Sequence, residues 1–81
     1  MSYLSTLPFT GAQITTSDAM DYTRQFFASH GQPVTIHGAT RNLVDGFECR
    51  DVLFILDGHS YRMTCWIERP EGSPAYIYGE W

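Results

Sequence analysis

Asp57-Gly58 is the feature that most restricts the fold. It separates two runs of strand character, Phe47–Leu56 and Tyr61–Glu68, and both of its positions tolerate the positive φ that a two-residue type I′ turn demands. In the second run Tyr61, Met63, Cys65 and Ile67 alternate with Arg62, Thr64, Trp66 and Glu68, the period of a pleated strand with two unlike faces. A hairpin is therefore expected at the centre of the C-terminal half. Asp45-Gly46 marks a further tight turn before it. Val34, Ile36, Gly38 and Thr40, alternating with Thr35, His37, Ala39 and Arg41, give the preceding strand. Arg69-Pro70-Glu71-Gly72-Ser73-Pro74 can only be a loop, and Ala75–Trp81 closes the chain as an aromatic strand.

Before Pro33 the pattern is different. Thr15 followed by Asp18 has the spacing of a capping box, although Thr16 or Ser17 could cap as well. Ala19, Thr23, Phe26 and Phe27, with Met20 and Tyr22 beside them, form a stripe of helical period. His30-Gly31 ends it and Pro33 forbids continuation. The spacing predicts one helix over 16–29. Residues 1–14 read as irregular or weakly extended, anchored by Leu4, Leu7 and Phe9. The expected fold is α+β: a single domain over 1–81, with one helix packed on an antiparallel four-stranded meander.

Within 81 residues there is room for a single core. The longest apolar run, Val52–Leu56, is far too short to cross a membrane. The start MSYLSTLPFTGAQ has neither the basic nor the apolar stretch of a secretory signal. A cytoplasmic setting, with Cys49 and Cys65 as free thiols, is expected. Nine acids face five arginines and no lysine, a net charge of −4. That balance disfavours direct nucleic-acid binding, which depends on neutralising phosphates, and suits a basic partner surface.

Chemistry-bearing motifs are scarce. Leu7-Pro8-Phe9-Thr10-Gly11 spells the LPxTG pattern of a sortase signal without its apolar span and basic tail, and is read as a turn before the helix. His30, His37, His59, Cys49 and Cys65 show no metal-ligand spacing, so no metal or cofactor is expected. Cys49, beside Glu48, Arg50 and Asp51, is the only thiol among charges, and His37 on a neighbouring strand could reach it. Glu48 and Asp51 have the wrong parity to share one strand face for acid–base work. A non-enzymatic role is the reading.

The second face of the sheet carries more information. If Tyr61, Met63, Cys65 and Ile67 point at the helix, then Trp66 points away, as do Tyr76 and Tyr78 of the last strand. One helix cannot cover both faces, so some of Leu53, Ile55, Trp66, Tyr76 and Tyr78 meet something else. Two answers stay open: Leu4, Leu7 and Phe9 fold back over this face, or it is an interface, where tryptophan, tyrosine and arginine are favoured anchors. In the second case Asp45, Glu48, Asp51, Asp57, Glu68 and Glu71 are candidate rim residues around Trp66, Tyr76 and Tyr78.

In its small size, acidity, aromatic content and want of catalytic apparatus, across segments such as MSYLSTLPF, TTSDAMDYTRQFF and WIERPEGSPAYIYGEW, the chain resembles the small phage-encoded inhibitors known as anti-CRISPR proteins. The resemblance implies docking on a subunit of a CRISPR effector complex in the host bacterial cytoplasm. Target DNA would be blocked there by occupation of a basic surface or by sterics, with no cofactor. Two alternatives stand beside it. One is a homo-oligomeric structural or adaptor domain whose aromatic face pairs with itself; the other is a small enzyme or toxin using Cys49 or a histidine.

Overall fold

A computed structural model describes the backbone of residues 2–8 and the whole of residues 14–81. Helix α1 spans Thr16–Ala28 and begins as its sequence dictates. The Thr15 side chain accepts from the Asp18 backbone N–H at 3.1 Å, and Asp18 returns the bond to the Thr15 N–H at 2.8 Å. It ends where Gln32 N–H reaches the Phe27 carbonyl and Gly31 N–H that of Ala28. Gly31 there has a φ of 71°, a conformation that costs glycine little.

Four antiparallel strands follow: β2 (Thr35–Val44), β3 (Phe47–Leu56), β4 (His59–Glu68) and β5 (Tyr76–Glu80). Val44 pairs with Phe47 and Leu56 with His59, so both Asp-Gly pairs are two-residue turns. Positive φ at Asp45, Gly46, Asp57 and Gly58 gives both the type I′ form, expected from sequence for Asp57-Gly58. The meander is therefore present as the sequence predicts. A strand precedes it as well. β1 (Ser2–Pro8) pairs antiparallel with β5, and the sheet order is β1-β5-β4-β3-β2. Leu4 and Leu7 thus belong to a strand whose backbone lies beside β5, in the sheet rather than across its face. Phe9, and the Phe9–Gly11 part of the LPxTG string, fall outside the described residues.

The register of β2 departs from simple alternation. Ile36 faces Phe54 and Gly38 faces Leu53, so His37 is an extra residue in a bulge. The bulge reverses the parity downstream: Ala39, opposite Val52, packs on the core instead of pointing away from it.

The core lies between α1 and one face of the sheet. Tyr22, Phe26 and Phe27 meet Val52, Phe54, Met63, Cys65, Ile67 and Ile77 there, with Trp81 packed against them. Phe27 makes edge contacts with Phe26 and Trp81 at centroid distances of 4.9 and 5.0 Å. The expected parities of β4 and β5 hold. Helix α1, with 13 residues, is about 20 Å long, whereas a ten-residue strand runs about 33 Å. Its N-terminal end reaches the sheet beside Arg50, which bonds the Ile14 carbonyl. The β2–β3 hairpin continues beyond that point with no helix over it.

Candidate protein-binding face

The strand pairings place the outward-facing residues in rows. Trp66 stands between Cys49 and Tyr78, Thr64 between Asp51 and Glu80, and Glu68 opposite Tyr76. Val44 and Phe47 extend this surface to the hairpin tip. The indole of Trp66 is fixed here, since its Nε1–H donates to Glu80 Oε1 at 3.1 Å. Phe47 is 66% exposed, Leu53 54% and Tyr78 36%. No described residue covers them.

Of the residues singled out from sequence, Trp66, Tyr76, Tyr78, Asp51 and Glu68 share this face. Asp45 lies in the turn at its Phe47 end, and Glu71 in the exposed loop after β4. Two rim assignments need correction. Glu48 is on the opposite face, bridging Arg50 at 2.8 Å and Arg69 at 3.3 Å. Hydrogen bonding to Arg50 holds its carboxyl below the ordinary range. Asp57 sits at the far end of β3, in the other turn. Nearness to a turn fixes neither the face nor the end, which is why sequence proximity misled in both cases. Glu80, Val44 and Phe47 were missed as members of the site, whereas Leu53 was among the residues expected on this face. The Asp45-Gly46 turn could have revealed Val44 and Phe47, because a two-residue turn sets them directly opposite one another.

Asp51 accepts a hydrogen bond from Asn42 Nδ2 at 2.9 Å across β2–β3, so it and Glu48 do lie on opposite faces. Cys49 is fully covered, with Asn42 and Trp66 as its cross-strand neighbours. His37 is displaced to the bulge, opposite Leu53 and Phe54, and does not face the thiol. Burial first, and the Asp51 carboxylate second, raise the Cys49 pKa, a shift that disfavours the thiolate a nucleophile needs. His30 Nδ1 lies 2.8 Å from the Phe26 carbonyl at the helix end. Among the described residues no three His, Cys, Asp or Glu side chains come together in a way that could hold a metal ion.

Both cysteines are free. Arg50 faces Cys65 while Cys49 faces Trp66, so the two thiols project from opposite sides of the sheet and no disulfide can join them in this register. Cys65 sits under the helix with its sulfur 4.0 Å from Thr23 Oγ1 and from the Ala19 carbonyl. Burial pushes its pKa up from 9.0 to about 12. The unfolded thiol therefore loses its proton first. The stability this group contributes is intact below about pH 9 and is lost as pH rises through about 12. Urea unfolding of the native chain should weaken over that window more steeply than that of Cys65→Ala; parallel pH profiles would refute the assignment.

No family model, curated protein or solved structure matches the chain. No helix among the described residues is long and apolar enough to cross a membrane.

Proposed function

We propose that this chain is a stoichiometric protein-binding module whose uncovered sheet face docks on a basic protein surface. One observation carries the reading. Trp66, Phe47 and Tyr78 form an apolar surface that α1 cannot reach and β1 does not cross, bordered by the carboxylates of Asp51, Glu68 and Glu80. Contiguous exposed apolar area with a polar edge is the anatomy of a recognition site, and tryptophan and tyrosine are its usual anchors. The carboxylates choose the sign of the partner.

The narrower form of the proposal is inhibition of a CRISPR effector complex, through a basic surface that would otherwise engage DNA. What supports it is the resemblance to phage-encoded inhibitors together with the acidic border of the face. The test is target-DNA binding by purified effector complexes, measured as the chain is added. Inhibition should reach completion near one chain per binding subunit. Trp66→Ala, half-buried and outside the helix-side core, should weaken binding by about 2 kcal/mol, roughly 30-fold, with the unfolding midpoint little changed. Inhibition at strongly sub-stoichiometric amounts would point to turnover. A dimer in light scattering whose contacts depend on Trp66 would assign the face to a second copy.

A further inference from the structure

The chain carries the dipeptide Asp-Gly twice, and each copy closes a two-residue turn. In themselves the two turns are nearly identical. Asp45 and Asp57 have φ of 52° and 51°, Gly46 and Gly58 of 82° and 79°, and all four residues are exposed. They differ in what stands behind them. The Asp57 turn closes on Leu56, which is 7% exposed, and the rings of Phe54, Tyr61 and Trp81 pack together just inside it. Ile55 is paired there on both sides, with Thr35 and with Ser60. The Asp45 turn has no such support among the described residues. Pairing of β3 with β4 begins only at Cys49 and Trp66, so Phe47 and Glu48 pair with β2 alone, and β2 is the edge of the sheet. Leu43 is 67% exposed and Phe47 66%. One tie reaches across, from Glu48 to Arg69 at 3.3 Å, and it is an exposed pair of the kind that contributes little. A two-stranded ribbon without a covered face is marginal by itself.

We propose that Asp45 is a site of spontaneous isomerisation, at which the backbone is rerouted through the side-chain carboxyl carbon, while Asp57 is protected. The Gly46 nitrogen attacks Asp45 Cγ. The new N–Cγ bond closes a five-membered succinimide, the Cγ–O bond breaks, and the oxygen leaves as water with the nitrogen's proton and a second one from solvent. Water then opens the ring. Addition at Cγ restores aspartate, whereas addition at the Asp45 backbone carbonyl carbon breaks its bond to the Gly46 nitrogen and leaves isoaspartate. One water is lost and one gained, and nothing is oxidised or reduced. Glycine favours the closure because no side chain shields its nitrogen. The folded turn opposes it. In the type I′ form ψ of the first central residue is about +30°, which turns the next nitrogen away from that residue's Cβ. Closure therefore waits for local opening, and its rate follows the population of the opened turn. Opening free energies run from near zero at frayed ends up to the global value, and the Asp45 turn stands toward the low end. Isoaspartate adds one carbon to the main chain, so the two-residue turn that sets Val44 opposite Phe47 is lost. The site rests on backbone chemistry and does not depend on the protein-binding reading.

The test is incubation of the native chain at neutral pH and 37 °C in H₂¹⁸O, followed by digestion and mass spectrometry that separates aspartate from isoaspartate. Each ring opening places one ¹⁸O in a carboxyl group, so both products of the succinimide are counted. Label and isoaspartate should accumulate at residue 45 roughly tenfold or more faster than at residue 57, as befits a frayed turn against a core-backed one. In urea that unfolds the chain the two rates should draw together, because two Asp-Gly bonds are then alike. Asp45→Glu, for which closure needs a six-membered ring, should abolish the label at 45 and leave that at 57 unchanged. A native rate at 57 equal to or above that at 45 would overturn the proposal. So would a native chain left unlabelled at 45 while the unfolded one is labelled, or a ratio that survives urea unchanged.

Discussion

Replacing Phe27 with alanine is expected to remove about 3–5 kcal/mol of stability, the range for emptying a buried aromatic site. Phe27 is 1% exposed, and its ring lies 5.0 Å from those of Phe54 and Trp81, so it joins the helix, β3 and the C-terminal residue at one point. These neighbours belong to different elements, and none can swing into the space without leaving its own contacts. A domain of 81 residues has only about 4–12 kcal/mol in total. Phe27→Ala should therefore be close to unfolded at 37 °C. Phe47→Ala, which also deletes a phenyl ring but at an exposed position, should change stability by about 0.5 kcal/mol or less. Urea midpoints of the two variants decide the matter. Similar losses in both would mean that the core is misassigned.

Gly79→Ala should cost about 3 kcal/mol, at the upper end of the usual penalty for overpacking. The reason is space. A Cβ at residue 79 would lie 2.5 Å from Met63 Sδ and 2.7 Å from Tyr22 Cε2. Met63 can shift to some extent, as methionines do. Tyr22 is held more firmly, because its hydroxyl accepts the Gly79 N–H at 2.8 Å. The clash and the bond share one locus, so relieving the first strains the second. Thermal unfolding of Gly79→Ala in native and Met63→Ala backgrounds tests this, since the alanine at 79 should cost much less once the thioether is gone. Additive losses would show that Met63 is not the obstacle.

Local chemistry made most of the fold readable. The Thr15–Asp18 box, the Asp45-Gly46 and Asp57-Gly58 turns and the parities of β4 and β5 are decided within a few residues of sequence, and the structure places them accordingly. Features set by distant partners were not readable. Ser2–Pro8 becomes a strand because β5 presents an edge to it, and no pattern inside the segment announces that. The bulge at His37 exists relative to β3, and from Ile36 alone the inward placement of Ala39 cannot be foreseen. The same division runs through the candidate face. Parity alone brings Trp66, Tyr76 and Tyr78 together. Whether a nearby acid joins them depends on strand register: Glu48 is next to Cys49, the partner of Trp66, so it points to the other side, where Arg50 and Arg69 pair with it.

The position of β1 also affects how the chain is made. Its register runs from Ser2 opposite Glu80 to Pro8 opposite Tyr76, so of these five strands the first to be synthesised is hydrogen-bonded to the last. Throughout synthesis β1 has no neighbour, and β4 lacks one on its β5 side until residues 76–80 have emerged. The helix and the β2–β3–β4 meander can form while translation proceeds, because their contacts are close in sequence. Closure of the sheet must wait for β5, and it carries the large loop-closure entropy of joining strands whose paired residues lie about 70 or more positions apart. Nascent copies on one polysome thus expose complementary strand edges to each other, and exchange of β1 between neighbours is the misassembly to which this topology is most open.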